Sequence, residues 1–140
     1  MSSLPWIPLS TPEPGKEYIA VVTYLPLRSL WAMPQFWYYT RRIRSQLRSA
    51  RGLVGYAILS HVLAKRFWTL SVWENEIDMT NFVHKHPHSE AMLVLRRFMG
   101  GTAFVRWRVN GSSVPPSWQE AMDRSNAQGV RGEEADDNRE

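Results

Sequence analysis

Two segments of this chain are apolar whichever way a strand is laid. Side chains alternate across a strand. In Tyr18–Leu25 (YIAVVTYL), Tyr18, Ala20, Val22 and Tyr24 therefore share one face and Ile19, Val21, Thr23 and Leu25 the other. In Phe67–Trp73 (FWTLSVW), Phe67, Thr69, Ser71 and Trp73 oppose Trp68, Leu70 and Val72. A sheet with one solvated face alternates apolar with polar residues. Neither segment does so, and the sheet they build must be covered on both sides.

The remaining pattern supplies one cover. Residues 1–16 hold Pro5, Pro8, Pro12, Pro14 and Gly15 and read as an extended Pro-rich arm, not as strand or helix interior. After the first strand, Pro34 suits a first helical turn, and Phe36, Tyr39, Ile43 and Leu47 recur at helical spacing, with Gly52 as the expected stop. Leu53–Val62 and Phe67–Trp73 read as an antiparallel hairpin joined by residues 63–66. Asn75 caps a second helix with Met79, Phe82 and Val83 inward. Pro87 interrupts it, and it resumes over Ser89–Met99 with Met92, Leu95 and Met99 inward. Gly100 and Gly101 end it before a fourth strand, Thr102–Asn110. Residues 113–126 read as a linker and short helix, opened by the capping box Ser117-Trp118-Gln119-Glu120. Residues 127–140 lack apolar periodicity and read as a disordered acidic tail.

The order over residues 17–112 is β-α-β-β-α-β, an α+β, ferredoxin-like domain with a four-stranded antiparallel sheet and both helices on one face. Two helices cannot cover both faces. A second copy is the expected cover, because two-fold homodimers are the commonest oligomers.

Composition narrows the function classes. The chain of 140 residues has no cysteine, which excludes thiolate nucleophiles, disulfides and cysteine metal sites. Its longest nearly uncharged apolar stretch, Tyr18–Leu27, is too short to span a bilayer. No basic segment precedes an apolar one in residues 1–15, so a soluble cytoplasmic protein without a membrane partner is expected. The last ten residues carry five acids and two arginines, which leaves +7 on residues 1–130 out of a net +4. Nucleic acid is argued against, because Thr102–Asn110 lacks the ring-rich signature of RNA-recognition sheets and a dimer would bury that face. No Gly-rich phosphate loop, serine elbow or paired-carboxylate signature is present.

The stretch FWTLSVWENEIDMTNFVHKHPH, with its strand ending at Trp73-Glu74, its helix and its Pro87-His88 break, resembles the dimeric α+β barrel superfamily. Leu53-Val54-Gly55-Tyr56 after Arg51-Gly52 resembles that group's entry to the second strand. The superfamily includes antibiotic-biosynthesis-type and heme-degrading monooxygenases, and this chain is most similar to a monooxygenase-like branch over roughly residues 17–110. The resemblance implies an apolar or aromatic small molecule, polyketide-like, held in a helix–sheet cavity and oxygenated without a cofactor. His88 would be base or proton donor and Tyr24 an orienting donor. Thr23, Trp31, Phe36, Tyr39, Trp73, Phe82 and Met92 would line the cavity. Heme-degrading members use an Asn, a Trp and a His that fall by register on Thr23, Phe82 and Met92. None matches, so no cofactor is expected and heme is argued against, with His88 one turn earlier as the nearest ligand.

The triplet His84, His86 and His88 suggests a chelate, since His84 and His88 are four residues apart. Pro87 breaks the helix that would align them, so no metal site is expected. His84 and His86 are expected on a solvated bend. The competing function classes are a non-catalytic ligand-binding or structural homodimer and a basic nucleic-acid binder.

Overall fold

The computed structural model describes residues 2–85 and 88–126. Strand β1 (Ser2–Pro8) is the arm's own contribution. The remaining strands are β2 (Glu17–Pro26), β3 (Leu53–His61), β4 (Arg66–Trp73) and β5 (Ala103–Asn110). Every pairing is antiparallel, and the order across the sheet is β1-β3-β4-β2-β5. The four expected strands thus take their ferredoxin-like places, with one strand added at the edge.

That fifth strand comes from the arm, which is extended as expected but pairs at the sheet edge. Proline lacks an amide and is tolerated where only one side of a strand must pair. The β1–β3 register is broken between Leu4 and Ile7, the stretch that contains Pro5. Beyond the break, Trp6 lies over Gly55 of β3, where a Cβ would run into the indole.

Helices α1 (Met33–Leu47), α2 (Glu76–His84) and α3 (His88–Leu95) pack on one face of the sheet. The first turn of α1 carries Pro34, and the turn Leu30–Ala32 leads into it with the Ser29 hydroxyl accepting from the Trp31 amide at 3.2 Å. Phe36, Tyr39 and Leu47 are buried, as their spacing predicts. The helix stops at Leu47 rather than near Gly52. The Ser49 and Ala50 amides turn back to Gln46 and Leu47 carbonyls at 3.2 Å, tightening the last turn. Gly52 instead supplies a φ of +80° at the entry to β3, where a Cβ would meet Asp78. In α2, the Asn75 side chain accepts from the Asp78 amide at 2.8 Å.

The opposite face is partly covered by the chain itself. Residues 118–126 form a fourth helix, α4, capped as its sequence predicts by the Ser117 hydroxyl on the Glu120 amide at 3.1 Å. Ala121 of α4 is fully buried against a cluster that includes Tyr18, Ala20, Val22, Leu70, Val72 and Trp107. Trp6, Val114 and Trp118 pack on the same cluster. The expected linker and short helix therefore belong to the core of the domain. The disordered acidic tail expected over 127–140 lies outside the described residues. Among the described residues, no helix is long and apolar enough to cross a membrane.

Candidate functional site

His88 begins α3, directly after the break that follows α2. The capping residue of α2, Lys85, is already extended, with φ −89° and ψ 143°. The imidazole packs on Phe82 with ring centroids 5.4 Å apart, and its Nδ1 lies 3.2 Å from the Val83 carbonyl oxygen. A carbonyl only accepts, so in the neutral ring Nδ1 holds the proton and Nε2 keeps its lone pair. Burial pushes the His88 pKa below its ordinary value, opposed by the Val83 carbonyl and aided by nearby His84. The histidine is thus a neutral base at pH 7, fixed in one tautomer.

Thr23 is half-buried on the helix side of β2. Tyr24 faces the other way, its ring 5.4 Å from Trp68 on the face covered by α4. The sheet stands between Tyr24 and His88, as the two-residue period requires. The structure does not bring them together.

The expected lining residues divide in the same manner. Phe36, Tyr39, Trp73 and Phe82 are buried between helices and sheet. Their rings fill that space, with Phe36 4.4 Å from Phe67 and Trp73 5.3 Å from Phe82. Trp31 is 94% exposed and Met92 55% exposed. Met92 turns outward because Ala91 and Leu95, four residues apart, form the inward stripe of α3. Two hollows among the described residues lie elsewhere than between helices and sheet. One, of about 370 Å³, lies on the opposite face over Ala57 and Leu70, walled by Trp6 and Trp118. The other, of about 590 Å³, is an open depression along the outward side of α1. The first was missed from sequence, although Trp6 and Trp118 were aromatic residues with no assigned place.

Near His88, the Tyr39 hydroxyl donates to Glu90 at 3.4 Å, and Arg42 pairs with the same carboxylate at 3.3 Å. Removal from water and the Glu90 charge push the Tyr39 pKa above its ordinary value. Arg42 and Glu90 are both about 40% exposed, so the pair positions α1 against α3 more than it stabilises them.

His84 is exposed, and His86 lies outside the described residues. Among the described residues, no group of three or more His, Asp or Glu side chains is placed to hold a metal. The register position expected for a heme ligand is held by the exposed Met92, and Phe82 packs on Trp73.

The model of a family described as "Domain of unknown function (DUF3291)" matches residues 40–136. Among curated protein sequences none matches. Solved structures show the fold. A conserved protein from Methanosarcina mazei Go1 is 13% identical, with a TM-score of 0.58 over 64% of this chain and 90% of its own. A protein from Nitrosomonas europaea, provisionally named as an antibiotic biosynthesis monooxygenase, is 16% identical with a TM-score of 0.59, over 75% and 97%. A variant of SnoaB, a cofactor-independent oxygenase from Streptomyces nogalater, is 12% identical with a TM-score of 0.52, over 71% and 98%. The chain spans only 50% and 49% of two further structures with monooxygenase names.

Proposed function

The chain belongs to the DUF3291 family, and we propose that it is a monooxygenase-like protein that takes an apolar, aromatic small molecule and uses no cofactor. The observation that carries this reading is His88, a neutral base held in one tautomer by Val83 against an aromatic wall. A base in that state is suited to removing a proton from a phenol-like or doubly benzylic substrate. The resulting anion is electron-rich enough to react with O2 itself. Conversion of a ring CH2 to a carbonyl then consumes one O2 and releases one water, with no external reductant. The role of the protein is to enclose, orient and deprotonate. Thr23, on the helix side of the sheet, is the polar group proposed to face the ligand with His88. Tyr24 is not carried into this role.

The test is oxygen uptake with a panel of aromatic hydroquinones and anthrone-type compounds. Uptake by the wild type, lost in a folded His88→Ala variant, supports the reading. Uptake that survives the substitution overturns the role of His88.

A second reading, a ligand-binding or structural protein without catalysis, is favoured by the close ring packing between helices and sheet. Absence of uptake across the panel would decide for it. Either reading includes a homodimer. In its favour, Trp6, Trp68, Val105, Val114 and Trp118 stay partly exposed on the face that α4 covers. Sedimentation across a dilution series checks it.

A further inference from the structure

The outward side of α1 has a composition that neither the fold nor the proposed chemistry uses. From Tyr18 to Trp73 the chain carries eight lysines and arginines and no acid. Arg41, Arg42, Arg44 and Arg48 fall on α1 and its capping residue. Arg42 pairs with Glu90, and no other arginine of this group has an ion pair among the described residues. Trp37, Tyr38, Arg41 and Arg42 line one open depression on this side. One turn before it, at the start of the helix, Leu30 is 53% exposed and Trp31 94% exposed. A nearly bare tryptophan beside a half-exposed leucine is not what a solvated basic face carries. Water penalises both, and among the described residues Trp31 is left almost uncovered.

We propose that this face lies on an anionic lipid bilayer surface. Leu30 and Trp31 enter the headgroup layer, and the exposed Arg41 and Arg48 meet lipid phosphates. This departs from the expectation of no membrane partner, whose grounds, a short apolar stretch and no basic leader, bear on crossing the bilayer. Lying on the bilayer is a different matter and needs only apolar anchors within a basic surface. Tryptophan and tyrosine favour the membrane–water boundary because each has an apolar body and a polar tip. Other occupants fit less well. A second copy docked by the same face would set arginines against arginines across a two-fold axis. Nucleic acid would satisfy the arginines and stack on Trp31, but it offers Leu30 nothing.

The test is co-sedimentation of the full chain with phosphatidylcholine vesicles, with and without phosphatidylserine. Binding is expected at low salt to the vesicles that contain phosphatidylserine, and to weaken with added salt. It should be accompanied by a blue shift of tryptophan emission. Arg41→Glu should weaken binding roughly fivefold or more. Trp31→Ser should weaken it roughly tenfold and, at an exposed position, leave the melting temperature unchanged. Four results would overturn the proposal: no binding to phosphatidylserine vesicles at low salt, equal binding by Trp31→Ser, oligonucleotide binding that Trp31→Ser leaves intact while vesicles compete poorly, or self-association abolished by Trp31→Ser.

Discussion

The two faces of the sheet are buried to similar depth by very different means. On one, Val21, Phe67 and Trp73 are sealed by three helices that lie between the strands in sequence. On the other, Ala20, Val22, Leu70 and Val72 are 0–1% exposed under a cover made from the two ends of the chain. The helical cover follows from the β-α-β-β-α-β order and cannot be removed without dismantling that order. The terminal cover hangs on a few anchors, Trp6, Val114, Trp118 and Ala121, and can be detached by truncation. One face is therefore intrinsic to the fold and the other is conditional.

Truncation gives the largest expected effect. Ending the chain before Val114 would bare Tyr18, Val22, Val72 and Trp107 together. It should cost on the order of 4 kcal/mol or more, or drive self-association through the bared face. Thermal melting and sedimentation separate these outcomes. Ending the chain before Ala127 instead keeps every anchor and should move the melting temperature little. If the two truncations are equally harmful, the contrast between the faces is wrong.

Single substitutions come next. Phe67 is 1% exposed and touches Phe36 and Trp37 with centroids 4.4 and 5.8 Å away, so Phe67→Ala should cost about 3–5 kcal/mol by denaturant unfolding. Trp118 on the conditional face is only partly buried, and Trp118→Ala should cost roughly half as much. A larger loss at Trp118 than at Phe67 would reverse the ranking of the faces. Gly55→Ala tests the other anchor. Its Cβ would displace the Trp6 indole, with an expected cost of about 1–3 kcal/mol and loosened amide protection in β1.

The same division marks what the sequence made legible. The α1 stripe, the Asn75 cap, the β3–β4 hairpin and the Ser117 cap are written in local spacing, and each is found where that spacing puts it. The pairing of β1 is not local. Its prolines argue against a strand interior, and only an edge position reconciles Pro5 and Pro8 with pairing to β3. Residues 114–126 form a short capped segment whose destination on the sheet is a tertiary fact. Both apolar faces were legible, but not which residues cover the second. In the candidate site, the burial of Phe36, Tyr39, Trp73 and Phe82 followed from periodicity. The outward turn of Met92 and the full exposure of Trp31 did not, because one residue of phase decides each.

The pH-dependent part of stability belongs to His88, on the intrinsic face, and it tests whether that face carries a titrating group at all. The folded pKa of His88 is depressed, chiefly by burial. Above the ordinary histidine pKa of about 6.5, neither folded nor unfolded chain holds the proton, and the group has no effect on stability. As the pH falls through that value, the unfolded chain takes up a proton that the folded chain refuses, so stability falls. The fall ends once the pH passes below the folded pKa and both states are protonated. His88→Ala removes the ring and with it this window, while loss of the hydrogen bond to Val83 lowers stability by about 1–3 kcal/mol at neutral pH. Denaturant unfolding at closely spaced pH values in the wild type and His88→Ala checks both parts. If the pH dependence survives the substitution, it arises elsewhere. The exposed His84 is the control for stability, because His84→Ala should leave the neutral-pH stability nearly as it was and only narrow the window, by removing a charge that helps lower the His88 pKa.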